Sequence, residues 1–255
     1  MLPIFKHIRQ KLLNQNRVTR YLIYAIGEIF LVVIGILIAL QVNNWNETRK
    51  ISSQKKVLLE NLQQDFEENL NTLNILISFL DGREEYARHV LDLLDSLPQQ
   101  LDSIQTVFAL ERTGFTHYFN PNQPTYEEMK SSGTLSLISN KELKNILLNY
   151  QYFLEYNHLL EEGNRKPIDT YSDLIIRYMD PEFGFVDITD NDSKAYSGLH
   201  FDLKAMSNDP EIQHLLKIII HKSIVEAGYK DRMLRTRLLK IIELIEEEKK
   251  NASND

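Results

Sequence analysis

The chain has 255 residues, 43% of them hydrophobic and 25% charged, which is ordinary for a globular protein and excludes wholesale disorder. Only 9 glycines and 7 prolines interrupt it, so long helices are favoured over a β-sandwich or barrel. The sequence contains no cysteine, which excludes disulfides and thiol nucleophiles, and its net charge of −7 disfavours a nucleic-acid partner.

The first twenty residues form a basic tail that contains no acid. Apolar residues recur on one side of a short predicted helix in this tail, as expected for a segment that lies on the anionic inner leaflet of a membrane. We therefore predict that residues 1–20 are a cytoplasmic amphipathic tail. Its cations are Lys6, Arg9, Lys11, Arg17 and Arg20.

An apolar run, YLIYAIGEIFLVVIGILIALQV, follows the tail at residues 21–42. As a helix it would be about 33 Å long, enough to span a bilayer, with Tyr21 and Trp45 at the two interfaces. The basic tail predicts a cytoplasmic N-terminus and an external body. A cleaved signal peptide is the alternative, but cleavage after Ala39 would place Leu37 where a small residue is preferred. We therefore predict an uncleaved single-pass anchor at residues 21–45.

The span carries one acid, Glu28, on the same helical stripe as Gly35 and Ala39. Small residues four apart let two helices approach closely, so this stripe is a candidate face for self-association or for binding a membrane partner. Alternatively, the Glu28 carboxylate snorkels towards the cytoplasmic headgroups. The sequence is compatible with both interpretations.

Two blocks of the sequence resemble a known family. The run YAIGEIFLVVIGILIALQVNNWNE, which follows a short basic tail, and the run PTYEEMKSSGTLSLISNKELKNILLNYQYF, Pro124 to Phe153, are similar to segments of an uncharacterised family of bacterial single-pass membrane proteins, a domain of unknown function typical of Gram-negative organisms. The resemblance implies an inner-membrane anchor and a helical periplasmic body at residues 46–255. It supplies no catalytic residue.

The body begins with a predicted helix that continues from the anchor, because neither glycine nor proline occurs between Gly35 and Gly82. Asp81-Gly82 is predicted to end it, and a second apolar stripe should fold back as an antiparallel helix, followed by a short helix at 103–112. The first stripe has heptad spacing: Leu59, Leu62, Phe66, Asn69, Leu73, Leu76 and Leu80. The second comprises Tyr86, Val90, Leu93, Leu94 and Leu97.

The segment GFTHYFNPNQPT, residues 114–125, is rich in aromatic and turn-forming residues and is predicted to be a loop. Ordered loops often carry function, so it is the candidate recognition loop. The alternative is that its rings plug one end of the helical body. The candidate contact residues are Phe115, His117, Tyr118 and Phe119.

Capping boxes at Thr125/Glu128 and Ser139/Glu142 predict two further helix starts, and Pro167 predicts a third. Residues 181–208 are predicted to be a polar, turn-rich segment. Its acids at 187–198 lack the glycine and the closing glutamate of an EF-hand loop, so calcium is not favoured.

Asp209-Pro210 should begin a long last helix that reaches about Lys250. Its stripe could pair antiparallel with the Leu59–Leu80 stripe, although a heptad pattern alone does not distinguish packing within one chain from packing between two. The acids 246–248 lie at a helix C-terminus, where they oppose the dipole and predict fraying. The stripe is Ile220, Ile224, Ala227, Asp231, Leu234, Leu238, Ile241 and Ile245.

Catalytic patterns are weak. The pairs Glu155/His158 and Glu211/His214 have the spacing found in di-iron bundles, but their number is near chance for this composition. We expect no cofactor and no metal.

The sequence predicts an all-α, coiled-coil-like helical bundle on one transmembrane helix. We expect it to act as a non-enzymatic interaction or scaffold protein, with the bilayer and either a second copy or another membrane protein as partners. A periplasmic ligand sensor is the alternative, and a di-metal enzyme is a remote one.

Overall fold

The computed structural model describes residues 18–97, 103–179 and 201–254. Within these ranges the protein is all-α, as predicted, and the one β feature there is an isolated antiparallel bridge between Met179 and Phe201. The α-helices are α1 Val18–Ser96, α2 Ser103–Thr113, α3 Pro124–Ser132, α4 Lys141–Ile175, α5 Leu203–Ser207, α6 Pro210–Tyr229 and α7 Thr236–Asn254. Two 3-10 turns, Thr134–Leu137 and Ile176–Tyr178, and a π-helix, Lys230–Arg235, complete the described elements.

The chain divides into two compact units, Met1–Val57 and Leu58–Asp255. In the described part of the first unit, α1 is long and apolar enough to cross a membrane, with a mean hydropathy of 2.5 over its most apolar 18 residues. None of that window is buried. The prediction of one apolar N-terminal helix is therefore confirmed. The anchor predicted from the sequence ends at residue 45, and the first unit extends further, to Val57.

The prediction that α1 ends at Asp81-Gly82 is wrong, because the helix continues to Ser96. A glycine inside a helix costs only about 1 kcal/mol. The buried face continues past Gly82 through Ala87, Val90 and Leu94, and the burial of these side chains outweighs that cost. The segment predicted to fold back is therefore a continuation of α1.

The body has two apolar cores, and α1 contributes to both. In the first core, residues 58–76 of α1 pack against α3, against the start of α4, and against α7. The second joins the 87–94 stretch to α2, the end of α4, α5 and α6. All seven residues of the predicted Leu59–Leu80 stripe are buried within this one chain. The α6–α7 region runs antiparallel to α1, since Lys249 contacts Gln63 and Ser223 contacts Arg83.

The two helices predicted from the capping boxes are present and begin within two residues of the predicted positions, but neither Thr125 nor Ser139 is the N-cap. The α3 helix begins at Pro124, and the Thr125 amide donates to Asp65 Oδ2 instead of its hydroxyl capping the helix. The α4 N-cap is Asn140, whose side chain accepts from the amides of Glu142 and Leu143. The Ser139 amide donates to Glu248 Oε1 at 2.6 Å. The acid near the end of α7 therefore stabilises the N-terminus of α4, a favourable place for negative charge.

Pro167 does not open a new helix, because α4 runs through it from Lys141 to Ile175. Proline has no N–H, so the carbonyl of Gly163, four residues earlier, lacks its helical donor. Lys222 Nζ of α6 donates to that carbonyl at 2.9 Å. Beyond the proline, Ile168 and Tyr171 continue the buried face, which explains why α4 continues.

The final predicted helix is confirmed at its start, because Asp209 is the N-cap and accepts from the Glu211 amide. Its predicted stripe is partly wrong, since Ile224 is 50% exposed and Lys230, not Asp231, is the fully buried polar residue. The π-helix Lys230–Arg235 explains the difference, because its wider turn shifts the buried face by one residue.

Candidate functional site

The candidate recognition loop, residues 114–123, lies between α2 and α3 and contains no helix. Phe119 is buried in the first core, and Phe115 is half-buried beneath the Arg112 guanidinium. His117 and Tyr118 are exposed, with the His117 ring 4.2 Å from that of Phe79. Of the four predicted contact residues, the loop therefore exposes only His117 and Tyr118 to solvent as exposed side chains.

Polar side chains from α1 hold this loop by its backbone. Arg83 Nη1 donates to the Phe115 carbonyl at 3.3 Å. Asn69 makes a two-sided contact with Asn122, accepting from its amide at 2.9 Å and donating to its carbonyl at 2.8 Å. Asn69 was predicted only as a polar interruption of an apolar stripe. Its position there is explained by the loop, because its side-chain amide pairs with both backbone groups of Asn122.

A buried charge cluster lies behind the loop. Lys230, with no exposed surface, donates to Glu161 Oε1 at 2.7 Å, to Glu226 Oε1 at 2.8 Å and to Asn157 Oδ1 at 2.9 Å. The Glu161 carboxylate also accepts from the Phe119 amide at 2.9 Å. A buried charge is tolerated only when it is paired and hydrogen-bonded, and all three ammonium hydrogens have acceptors here.

Arg83 is the second cation of the cluster. Its Nε donates to Ser223 Oγ at 2.9 Å, and its Nη2 lies 3.5 Å from Glu226 Oε2. Burial lowers the pKa of Arg83, and the nearby Glu226 carboxylate opposes that shift. With Lys230, Glu161 and Glu226, the cluster contains two cations and two carboxylates and is charge-balanced. It connects α1, the loop, α4, α6 and the π-helix.

Sequence reasoning missed this cluster because no motif spacing marks it. Its members lie in three distant parts of the chain, at positions 83, 157–164 and 223–230. One signal was present: a polar residue was expected on the last helical stripe, but at Asp231. A π-helix cannot be read from apolar periodicity, and π-turns occur often at functional sites.

The α4 helix has an exposed apolar ridge opposite its buried face. We define the α4 ridge as Leu148, Tyr152, Glu155 and Leu159, whose apolar members are each more than half exposed. Two open grooves flank it. The loop groove, about 540 Å³, lies between the ridge and residues 119–124, and its charged or ionisable lining residues are Glu127, Glu155 and His158. The α4–α7 groove, about 640 Å³, contains Phe153, Arg237 and Lys240.

The membrane candidate residues lie in the first unit. Gly35 and Ala39 are exposed, and Glu28 is half-buried. Apart from its chain neighbours and the backbone of its own helical turns, no atom of the described residues lies within 4 Å of where a Gly35 Cβ would be. That surface is open to a second helix.

In the described ranges no three His, Asp or Glu side chains lie close enough together to hold a metal ion. Glu155, His158, Glu211 and His214 are all exposed. The 187–198 segment considered for calcium lies outside the described residues.

These features define an all-α protein with an exposed apolar helix and a helical body built around a buried charge cluster. The chain belongs to the family of unknown function DUF6090, which it matches over residues 28–171. That range includes the whole Pro124–Phe153 block, whereas Glu226 and Lys230 lie beyond it. No curated protein and no solved structure matches the chain.

Proposed function

We propose that this protein is a single-pass, membrane-anchored interaction protein. In this proposal α1 holds the helical body on the periplasmic side of a bacterial inner membrane, where it acts as a scaffold or accessory subunit, either as a homo-oligomer or with another membrane protein. The observation that carries it is the exposure of large apolar side chains along α1 from Leu22 to Trp45.

These side chains leave no polar face on the helix. Consecutive residues Ile29 to Ile34 are all 40–67% exposed, so apolar surface points in every direction around the axis. A helix that is apolar all round is buried in protein or in lipid, and none of this window is buried in protein. The basic tail supports a cytoplasmic N-terminus.

The body offers a surface for a protein partner. Leu148, Tyr152 and Leu159 share one exposed side of α4, and Tyr156 lies beside them. Contiguous exposed apolar patches are typical of protein–protein interaction sites. The Glu28, Gly35, Ala39 stripe would add a second contact within the bilayer.

The experiment is to extract the full chain from its membrane in mild detergent and measure the mass and composition of the particle. A homo-oligomer or a stable heteromeric particle supports the proposal. A bare monomer that retains its helical signal would contradict it.

A ligand sensor is the second candidate, and the observation that favours it is the fixed loop beside the loop groove. Backbone contacts from Arg83, Asn69 and Glu161 preorganise this surface, which lowers the entropic cost of binding. A sensor predicts that amino acids or small sugars raise the thermal unfolding midpoint of the full chain. It also predicts that Asn69→Leu removes that shift while the exposed control Asn71→Leu retains it. The absence of any shift would contradict this function.

A further inference from the structure

We infer that the partner of the α4 surface is a second copy of this chain, with the α4 ridge of each copy seated in the α4–α7 groove of the other. The inference rests on the proposed interaction function and names its partner. It requires an isologous two-fold pair, in which the same surface serves both copies.

The ridge has the form of a helix face that packs on another helix. Its residues are spaced four, three and four apart, within an arc of about 60° at roughly 100° per residue. Leu148, Tyr152 and Leu159 are 58%, 66% and 69% exposed. The opposite face is buried through Leu147, Tyr150 and Asn157, so the ridge has no role in the core of its own chain.

The α4–α7 groove has the size and chemistry to receive this ridge. Its volume of about 640 Å³ accommodates several side chains, and Ile146 and Phe153 supply apolar contacts. The Arg237 guanidinium lies 3.3 Å from the centroid of the Phe153 ring. Lys240 adds a second cation, and Glu142 is the one carboxylate in the lining.

Charge selects this groove over the other one. The ridge carries Glu155, which would meet the cations Arg237 and Lys240 in the α4–α7 groove. In the loop groove it would instead meet Glu127, a like charge. Arg237 stacks on Phe153, which is only two residues from Glu155 along α4. A two-fold axis parallel to α4 preserves height along the helix. Glu155 of one copy therefore lies at nearly the same height as Arg237 of the other.

The symmetry also makes the contact reciprocal. A two-fold axis parallel to α4 turns the groove side of one copy towards the ridge of the other, so each ridge fills one groove. Tyr152 belongs to the ridge and also lines the groove. It therefore lies nearest the axis, facing its own counterpart.

The test uses the full chain in mild detergent, with mass measured by light scattering over a range of concentrations. We expect a dimer that Glu155→Arg or Arg237→Glu each weakens by about tenfold or more, and that the double variant restores. Glu85→Arg, an exposed charge reversal on α1, should leave the dimer unchanged. Dimers that both single variants leave intact would overturn the inference.

A cysteine cross-link provides a second measurement that does not depend on charge. Because the chain has no cysteine, Tyr152→Cys should yield a disulfide-linked dimer under mild oxidation, whereas the exposed control Ser131→Cys should not. Equal cross-linking of both variants would overturn the inference. A heteromeric particle without dimers would overturn it while leaving the proposed function standing, and a bare monomer would contradict both.

Discussion

Lys222 donates from Nζ to the carbonyl oxygen of Gly163 at 2.9 Å, the carbonyl that Pro167 leaves without a helical donor. The same ammonium donates to Asn164 Oδ1 at 3.0 Å. A cation on α6 thus replaces the hydrogen bond that a proline removes from α4. This contact also links α4 to α6 next to the buried charge cluster.

We predict that the effects of Lys222→Met and Pro167→Ala on stability are coupled. Pro167→Ala restores an N–H to the Gly163 carbonyl and relieves the proline, so it should raise the free energy of unfolding by up to about 3 kcal/mol. Lys222→Met should cost about 1–2 kcal/mol in the parent chain and less in the alanine background. Urea unfolding of the four proteins, followed by helical ellipticity, gives the coupling energy.

Lys217→Met serves as the control for this pair, because Lys217 is exposed on the same helix. It should change stability by less than about 0.5 kcal/mol in either background. Identical losses for Lys222→Met with and without Pro167 would show that Lys222 does not compensate for the hydrogen bond that the proline removes.

The buried charge cluster predicts a large effect for Lys230→Met. Removing the ammonium leaves Glu161 and Glu226 with an excess of buried negative charge, which should cost about 3–5 kcal/mol. Adding Glu161→Gln restores the charge balance and should recover part of the loss. The measurement is the urea midpoint of each variant beside Lys217→Met. A loss for Lys230→Met no greater than that for Lys217→Met would show that the cluster is not paired as described.

The helical body could be predicted from the sequence to the extent that apolar periodicity determines it. The stripe from Leu59 to Leu80 is buried within the chain, which is one of the two kinds of packing that its heptad spacing allows. Asp209-Pro210 begins the last helix as predicted. The predicted helix boundaries are wrong at two positions where a helix-breaking residue lies within a continuous buried face. Gly82 and Pro167 both lie inside helices because the buried faces continue on either side of them.

The candidate site was less accessible to sequence reasoning. The loop 114–123 was recognised from its turn formers, but which ring faces solvent depends on partners distant in sequence. Glu161, which accepts from the Phe119 amide, lies 42 residues away. Apolar periodicity predicts that Asp231 is the polar residue on the buried stripe. The π-helix instead buries Lys230, and a π-helix cannot be read from that periodicity.

Gly82→Ala tests the continuation of α1 past Gly82, and Gly133→Ala, at the C-terminal end of α3, provides the contrast. Gly82→Ala should stabilise the chain by about 0.5–1 kcal/mol, because the added methyl group would meet only Tyr86 at 3.8 Å and glycine disfavours a helix interior. Gly133→Ala should destabilise it by about 1–2 kcal/mol, since Gly133 has a φ of +76°. Thermal unfolding midpoints of the two variants should shift in opposite directions. A fall for Gly82→Ala would indicate a turn at that position.

Stability should depend on pH through Asp209 and Tyr178. Tyr178 Oη donates to Asp209 Oδ2 at 2.6 Å, and this bond, with the Glu211 amide, lowers the pKa of Asp209. The same bond raises the pKa of Tyr178. The carboxylate's contribution is present above its unfolded-state pKa of about 4 and is lost as pH falls through its lower folded value. The phenol's contribution is present below about 10 and is lost as pH rises through its higher folded value.

Tyr178→Phe should therefore reduce the pH dependence of the free energy of unfolding at both acid and alkaline pH. Unfolding midpoints measured from acid to alkaline pH should show the largest difference from the parent between about 4 and about 10. Tyr118→Phe, at an exposed loop position, is the matched control and should follow the parent. A uniform offset at every pH would contradict a role for this bond in the pH dependence.

The proposed function requires that one helix anchors the body outside the cytoplasm. Because the chain has no cysteine, single variants Gln10→Cys and Ser131→Cys can be labelled with a membrane-impermeant maleimide in spheroplasts. We expect both variants to sediment with the membrane after an alkaline wash. Ser131→Cys should be labelled in intact spheroplasts, and Gln10→Cys only after detergent is added. Release of the chain from the membrane, or the reverse labelling pattern, would contradict it.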